Sequence, residues 1–178
     1  MNASIIEWGN VEAYAPVVTP NSAISSTANG AFLSLISSEA QLALDESCTS
    51  LTGARTWLTR VEVKISEEKE VLGYHVEVRG AVTKGAGARA SVLIEIGSAS
   101  DILEFPYDEA LDGQAFTRDL FCLEPRQPKE NDPARPSLPP LSISVIQLAQ
   151  RRTVDDCVVL DVDSVDVRAI FPDVVRGD

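Results

Sequence analysis

Between Thr59 and Ile96, apolar and polar residues alternate one by one through three successive runs, and this period constrains the fold more than any other feature of the chain. Val61, Val63 and Ile65 alternate with Arg60, Glu62 and Lys64, then Tyr74, Val76 and Val78 with His75, Glu77 and Arg79, then Val92, Ile94 and Ile96 with Leu93 and Glu95. Successive side chains on a strand point to opposite faces, so each run predicts an antiparallel strand with one buried and one solvated face.

The rest of the chain extends the pattern. Val11 to Val18 reads as an edge strand, and Leu33 with Leu35, then Leu42 with Leu44, as a hairpin turning at Ser37 to Glu39; a helix over Ala31 to Asp45 is the alternative. Ile102 to Phe105 is a short strand ended by Pro106, and Ala115 to Leu123 another. Leu141 to Ala149 and Cys157 to Ile170 predict a closing hairpin joined by the charged turn Gln150 to Asp156. In its second strand Val158, Leu160 and Val162 have one parity and Val165 and Val167 the other, so a β-bulge at Asp163 or Ser164 is needed to keep both sets inside. About ten short strands at this spacing predict an all-β, antiparallel two-sheet β-sandwich of jelly-roll type, with a closed β-barrel as the alternative.

Composition bounds the rest. At 178 residues, with 44% hydrophobic and 24% charged residues, the chain can bury a full core without staples. Residues 1–30 are low in charge and read as an N-terminal arm or edge segment, and residues 31–178 as a single sandwich domain. Within it, Glu124 to Pro140 holds six of the ten prolines and predicts a long exposed loop; its PxxP spacings read as rigid spacing. The formal net charge of −12 repels phosphate backbones and anionic membranes, so neither nucleic acid nor membrane is an expected partner. No run of apolar residues is long enough for a transmembrane helix. Met1 to Asn10 carries Glu7 and no Lys or Arg, so no secretory leader is predicted and a cytoplasmic, reducing site of synthesis is expected, with a virion as a further possible location. Cys48, Cys122 and Cys157 are widely spaced without a CxxC and read as free thiols.

Few residues offer chemistry. Gly85, Gly87 and Ala90 have GxGxxA spacing, but a strand follows where the dinucleotide motif needs a helix, so Lys84 to Gly87 reads as a hairpin turn. His75 is the single histidine and shares its face with Glu77 and Arg79; no GxSxG elbow or nucleophilic Cys setting accompanies it. Asp108 to Asp119 resembles a calcium loop only in part, with Ala110 at a ligand position and strands as flanks. Asp161, Asp163 and Asp166 converge on one face if the bulge forms, and are the candidate ligands of a structural Ca²⁺. Trp57 shares the parity of Val61 and Val63 and belongs to the core, whereas Trp8 lies in the polar N-terminal segment and is the candidate exposed anchor.

These readings give no catalytic residues and no cofactor. The first expectation is a non-catalytic structural or interaction subunit of a larger assembly, such as a virion or tail, a homo-oligomer or partner of other protein subunits, with the arm and the proline-rich loop as its contacts. The alternative is a carbohydrate- or other ligand-binding sandwich module with calcium. A hydrolase using acidic pairs such as Asp155 and Asp161 ranks last, because no spacing singles out a pair.

Overall fold

The computed structural model describes residues 6–14, 24–29, 32–37, 41–65, 71–123 and 140–171. Among them are eleven strands: β1 (Ile6–Tyr14), β2 (Ile24–Asn29), β3 (Phe32–Ser37), β4 (Gln41–Leu44), β5 (Thr52–Ile65), β6 (Gly73–Lys84), β7 (Ala88–Ile96), β8 (Ala99–Phe105), β9 (Leu111–Leu123), β10 (Leu141–Arg151) and β11 (Val158–Ile170). They form two antiparallel sheets, one in the order β1-β5-β10-β7-β8 and a six-stranded one in the order β2-β3-β11-β6-β9 with β4 also on β11. Neither sheet closes on itself, so the fold is a two-sheet sandwich and the barrel alternative falls. No helix among the described residues is long and apolar enough to cross a membrane. The proline-rich segment 124–139 lies outside the described residues.

Alternation builds the core as expected. Val61, Val63, Val92, Ile94, Ile96, Ile143 and Val145 of the five-stranded sheet face Leu33, Leu35, Val76, Val78, Val82, Leu160, Val165 and Val167 of the other, all nearly inaccessible. Trp57 joins them at 8% exposure. The bulge in β11 is where parity demands it: Val162 pairs with Gly80 and Ser164 with Arg79, leaving Asp163 unpaired and exposed. Gly80 is required there, since a Cβ at this position would collide with the Asp161 carbonyl and the Phe116 ring.

Three predicted hairpins are not hairpins. β10 lies in the five-stranded sheet between β5 and β7, and β11 in the six-stranded sheet between β6 and β3, so the segment Gln150 to Asp156 crosses from one sheet to the other. β6 and β7 likewise belong to different sheets, and Lys84 to Gly87 turns a corner between layers. Its glycines do not have positive φ; a Cβ on Gly87 would meet the Asp156 carboxylate, which would have to swing aside. β3 and β4 are both strands, yet they lie end to end along β11, with Ser164 opposite Ile36 and Asp161 opposite Gln41. Alternation reports which face is wet and is silent on which strand is the neighbour, and that is why all three pairings failed. These crossing connections are those of a jelly roll.

Inward parity also buries four polar residues, Thr59, Gln147, Lys84 and Arg151. Gln147 donates from Nε2 to the Leu160 carbonyl of the opposite sheet at 3.0 Å. Lys84, 2% exposed, donates to the Glu109 carbonyl, and burial pushes its ammonium below the usual lysine range. Arg151 ends β10 at 2% exposure and binds five loop carbonyls around the corner it closes.

Candidate functional site

The outer face of the six-stranded sheet carries a polar row that the register alone assembles. Asp166 of β11 stands opposite Glu77 of β6, which stands opposite Asp119 of β9. Carboxylates directly opposite one another across a sheet repel, so this row needs compensation. Arg79, on the next level of β6, supplies part of it: its guanidinium pairs with Glu77 and lies 3.8 Å from Asp166 Oδ2. Asp166 Oδ1 also accepts a 2.5 Å hydrogen bond from Ser34 Oγ on β3, which leaves this outward carboxylate 9% exposed. On the level to the other side, Arg168, His75 and Phe121 align across β11, β6 and β9. His75 Nε2 lies 2.6 Å from Asp119 Oδ1, and its ring stacks on Phe121 with centroids 4.5 Å apart and planes 14° apart. Phe121 is 61% exposed, so an open aromatic face borders the row.

The structure thus keeps His75, Glu77 and Arg79 on one face, as the sequence predicts, and adds Asp119, Phe121 and Ser34. Those three carry no motif. Only the register of β9 and β3 reveals them, although the outward parity of Asp119 and Phe121 is legible.

The three aspartates proposed for calcium do not come together as a ligand set. Asp166 is engaged by Ser34 and Arg79, Asp163 sits exposed on the bulge, and Asp161 lies on the far side of it. Burial raises the Asp161 carboxyl above the usual carboxylate range, and the neighbouring charge of Asp163 adds to this. Among the described residues no three His, Cys, Asp or Glu side chains are grouped to hold a metal ion.

Trp8 is not an exposed anchor. It sits in β1 opposite Val63, half-buried against the core, with its ring 6.3 Å from that of Tyr74. The described parts of residues 1–30 are strands, β1 flanking β5 and β2 flanking β3. Cys122 is buried, Cys48 half-buried and Cys157 exposed, and none of the three is in a disulfide.

The opposite outer face, on the five-stranded sheet, is different in kind. Thr56, Ile146, Leu93 and Ile102 form a level across β5, β10, β7 and β8, with Leu148 on the next level and Leu58 on the one before. Ile102 and Leu148 are 47% and 41% exposed. Beside this aliphatic strip a recess of about 310 Å³ is lined by Leu58, Glu95, Ser98, Ser100, Ser142 and Ser144.

No family model matches the chain, and no curated protein is similar to it in sequence. Among solved structures it is similar to the carbohydrate-binding module TmCBM61 in complex with β-1,4-galactotriose, at 12% identity and a TM-score of 0.36 over 91% of this chain and 90% of that one.

Proposed function

We propose that the protein is a non-catalytic binding module that recognises a carbohydrate on the outer face of the six-stranded sheet. One observation carries this reading: the exposed Phe121 ring, stacked on His75, stands beside the row Asp119, Glu77, Asp166 with Arg79 above it. A sugar ring has an apolar C–H face that packs on an aromatic ring and a rim of hydroxyls that bond to carboxylates and guanidinium. The face supplies both within neighbouring strand positions, on rigid strands and not on loops. Affinity electrophoresis through gels containing soluble polysaccharides, followed by titration with oligosaccharides of any that retard the protein, tests it. Retardation abolished by Phe121→Ala and by Asp119→Asn is the expected result. No retardation by any polysaccharide, or retardation that both variants keep, sinks the reading.

A second reading, an interaction subunit of a larger protein assembly, draws on the aliphatic strip of Leu58, Leu93, Ile102, Ile146 and Leu148, because the outer face of a sandwich sheet is ordinarily polar.

A further inference from the structure

We infer that the outer face of the five-stranded sheet is the interface of a two-fold homodimer, packed sheet against sheet. The residues are on the opposite side of the sandwich from the proposed sugar site, so the inference stands or falls separately from it.

A two-fold interface must be self-complementary, each residue i meeting j while j meets i. The outward residues of the central strands satisfy this about one axis. On β7 the outward residues are Arg89, Ser91, Leu93 and Glu95, and on β10 Gln150, Leu148, Ile146 and Ser144 stand opposite them in that order. An axis lying in the interface across the strands at the level of Val92 exchanges Glu95 with Arg89, Leu93 with Ser91, and Ile146 with Leu148. Glu95 of each copy then meets Arg89 of the other, so the ion pair forms twice, and the Ile146–Leu148 contacts lie between the two ion pairs. Arg89 and Glu95 are both exposed, and Arg89 bonds Gln150 Oε1 through Nε, which holds its guanidinium on this face. The recess lined by Ser98, Ser100, Ser142 and Ser144 borders the footprint beyond the Glu95 level and suits trapped water.

About that axis β5, β10, β7 and β8 overlap their mates over roughly 15–30 Å each, which at about 4.8 Å per strand offers about 450 Å² per copy, the size of a weak, reversible contact. The net charge of −12 on each copy opposes association, so the dimer is predicted to tighten with added salt until the Glu95–Arg89 pairs are themselves screened.

Sedimentation equilibrium of the full chain across about 1–100 µM reads the outcome. Four proteins are compared: wild type, Arg89→Glu, the exchange Arg89→Glu with Glu95→Arg, and Leu148→Asp. The account expects a wild-type dimer, at least tenfold weaker association for Arg89→Glu and Leu148→Asp, and recovery in the exchange variant. All three positions are exposed, and unchanged melting temperatures show that each variant is folded. A wild-type monomer throughout the range overturns the inference. So does a dimer that both single variants leave intact, since the contact then lies elsewhere, and so does failure of the exchange to recover association.

Discussion

Replacing Arg151 by Met removes the guanidinium that closes the corner between the two sheets while keeping an apolar stem of similar reach. The guanidinium donates from Nε to the Ser50 carbonyl at 2.9 Å. One terminal nitrogen reaches the carbonyls of Asp45, Val154 and Asp156 at 2.9–3.0 Å, and the other reaches Cys48. It therefore gathers the segment before β5 and the whole β10–β11 crossing onto one buried group. Asp45, Ser50 and Val154 are exposed residues whose carbonyls can turn to water, whereas Cys48 and Asp156 are only partly exposed. Taking two carbonyls as stranded, at about 1–3 kcal/mol each, the variant loses about 2–6 kcal/mol. For a chain of this size that lowers Tm by about 4–24 °C. Urea unfolding followed by far-ultraviolet circular dichroism measures the loss as a lower midpoint at unchanged m. Arg151→Lys keeps the charge but not the fork, and should fall between Met and wild type. A loss below about 1 kcal/mol for Arg151→Met would refute the corner argument.

Three further outcomes are expected. Deleting Asp163 removes the extra residue of the bulge and leaves Val162 and Val165 both inward in a regular strand against Gly80 and Val78, so the protein should still unfold cooperatively, and Asp163→Gly should stay within about 0.5 kcal/mol of wild type; loss of cooperative unfolding on deletion would show that the bulge itself is required. Because the folded-state pKa of Asp161 is raised, its ionised form weakens the fold at neutral pH and the penalty disappears as pH falls through the raised pKa toward the unfolded value. Asp161→Asn should therefore raise Tm at pH 7 and lose that advantage near about pH 3, where both carboxyl and amide are neutral; an advantage that persists at low pH contradicts the sign. Calcium at millimolar concentration should leave Tm unchanged by scanning calorimetry, since Asp166 already bonds Ser34 and Asp161 and Asp163 do not join it; a calcium-dependent rise lost in Asp163→Ala would restore the metal reading.

The strands of this fold are written plainly in the sequence, and their neighbours are not. Val61 to Ile65, Tyr74 to Arg79 and Val92 to Ile96 declare a wet and a dry face by parity alone, and the parity switch between Val162 and Val165 declares a bulge. Parity contains no term for which edge meets which, so β6 and β7, and β10 and β11, looked like hairpins although each pair divides between the sheets. Arg151 shows the same limit: it has the inward parity of Val145 and Ala149, but a second Arg and two Asp residues beside it made the segment read as a charged turn. At the candidate site His75, Glu77 and Arg79 shared a face on sequence grounds. Asp166, Asp119 and Phe121 reach them only through registers of β11 and β9, set by contacts dozens of residues away.

Backbone-amide NMR of the ¹⁵N-labelled protein, titrated with an oligosaccharide from any polysaccharide that retards it, tests the central claim most directly. The account predicts saturable shifts concentrated at His75, Glu77, Asp119, Phe121 and Asp166, with Leu93, Ile146 and Leu148 unmoved. Shifts concentrated instead on the five-stranded sheet, or saturable binding with none of the five residues perturbed, would contradict it.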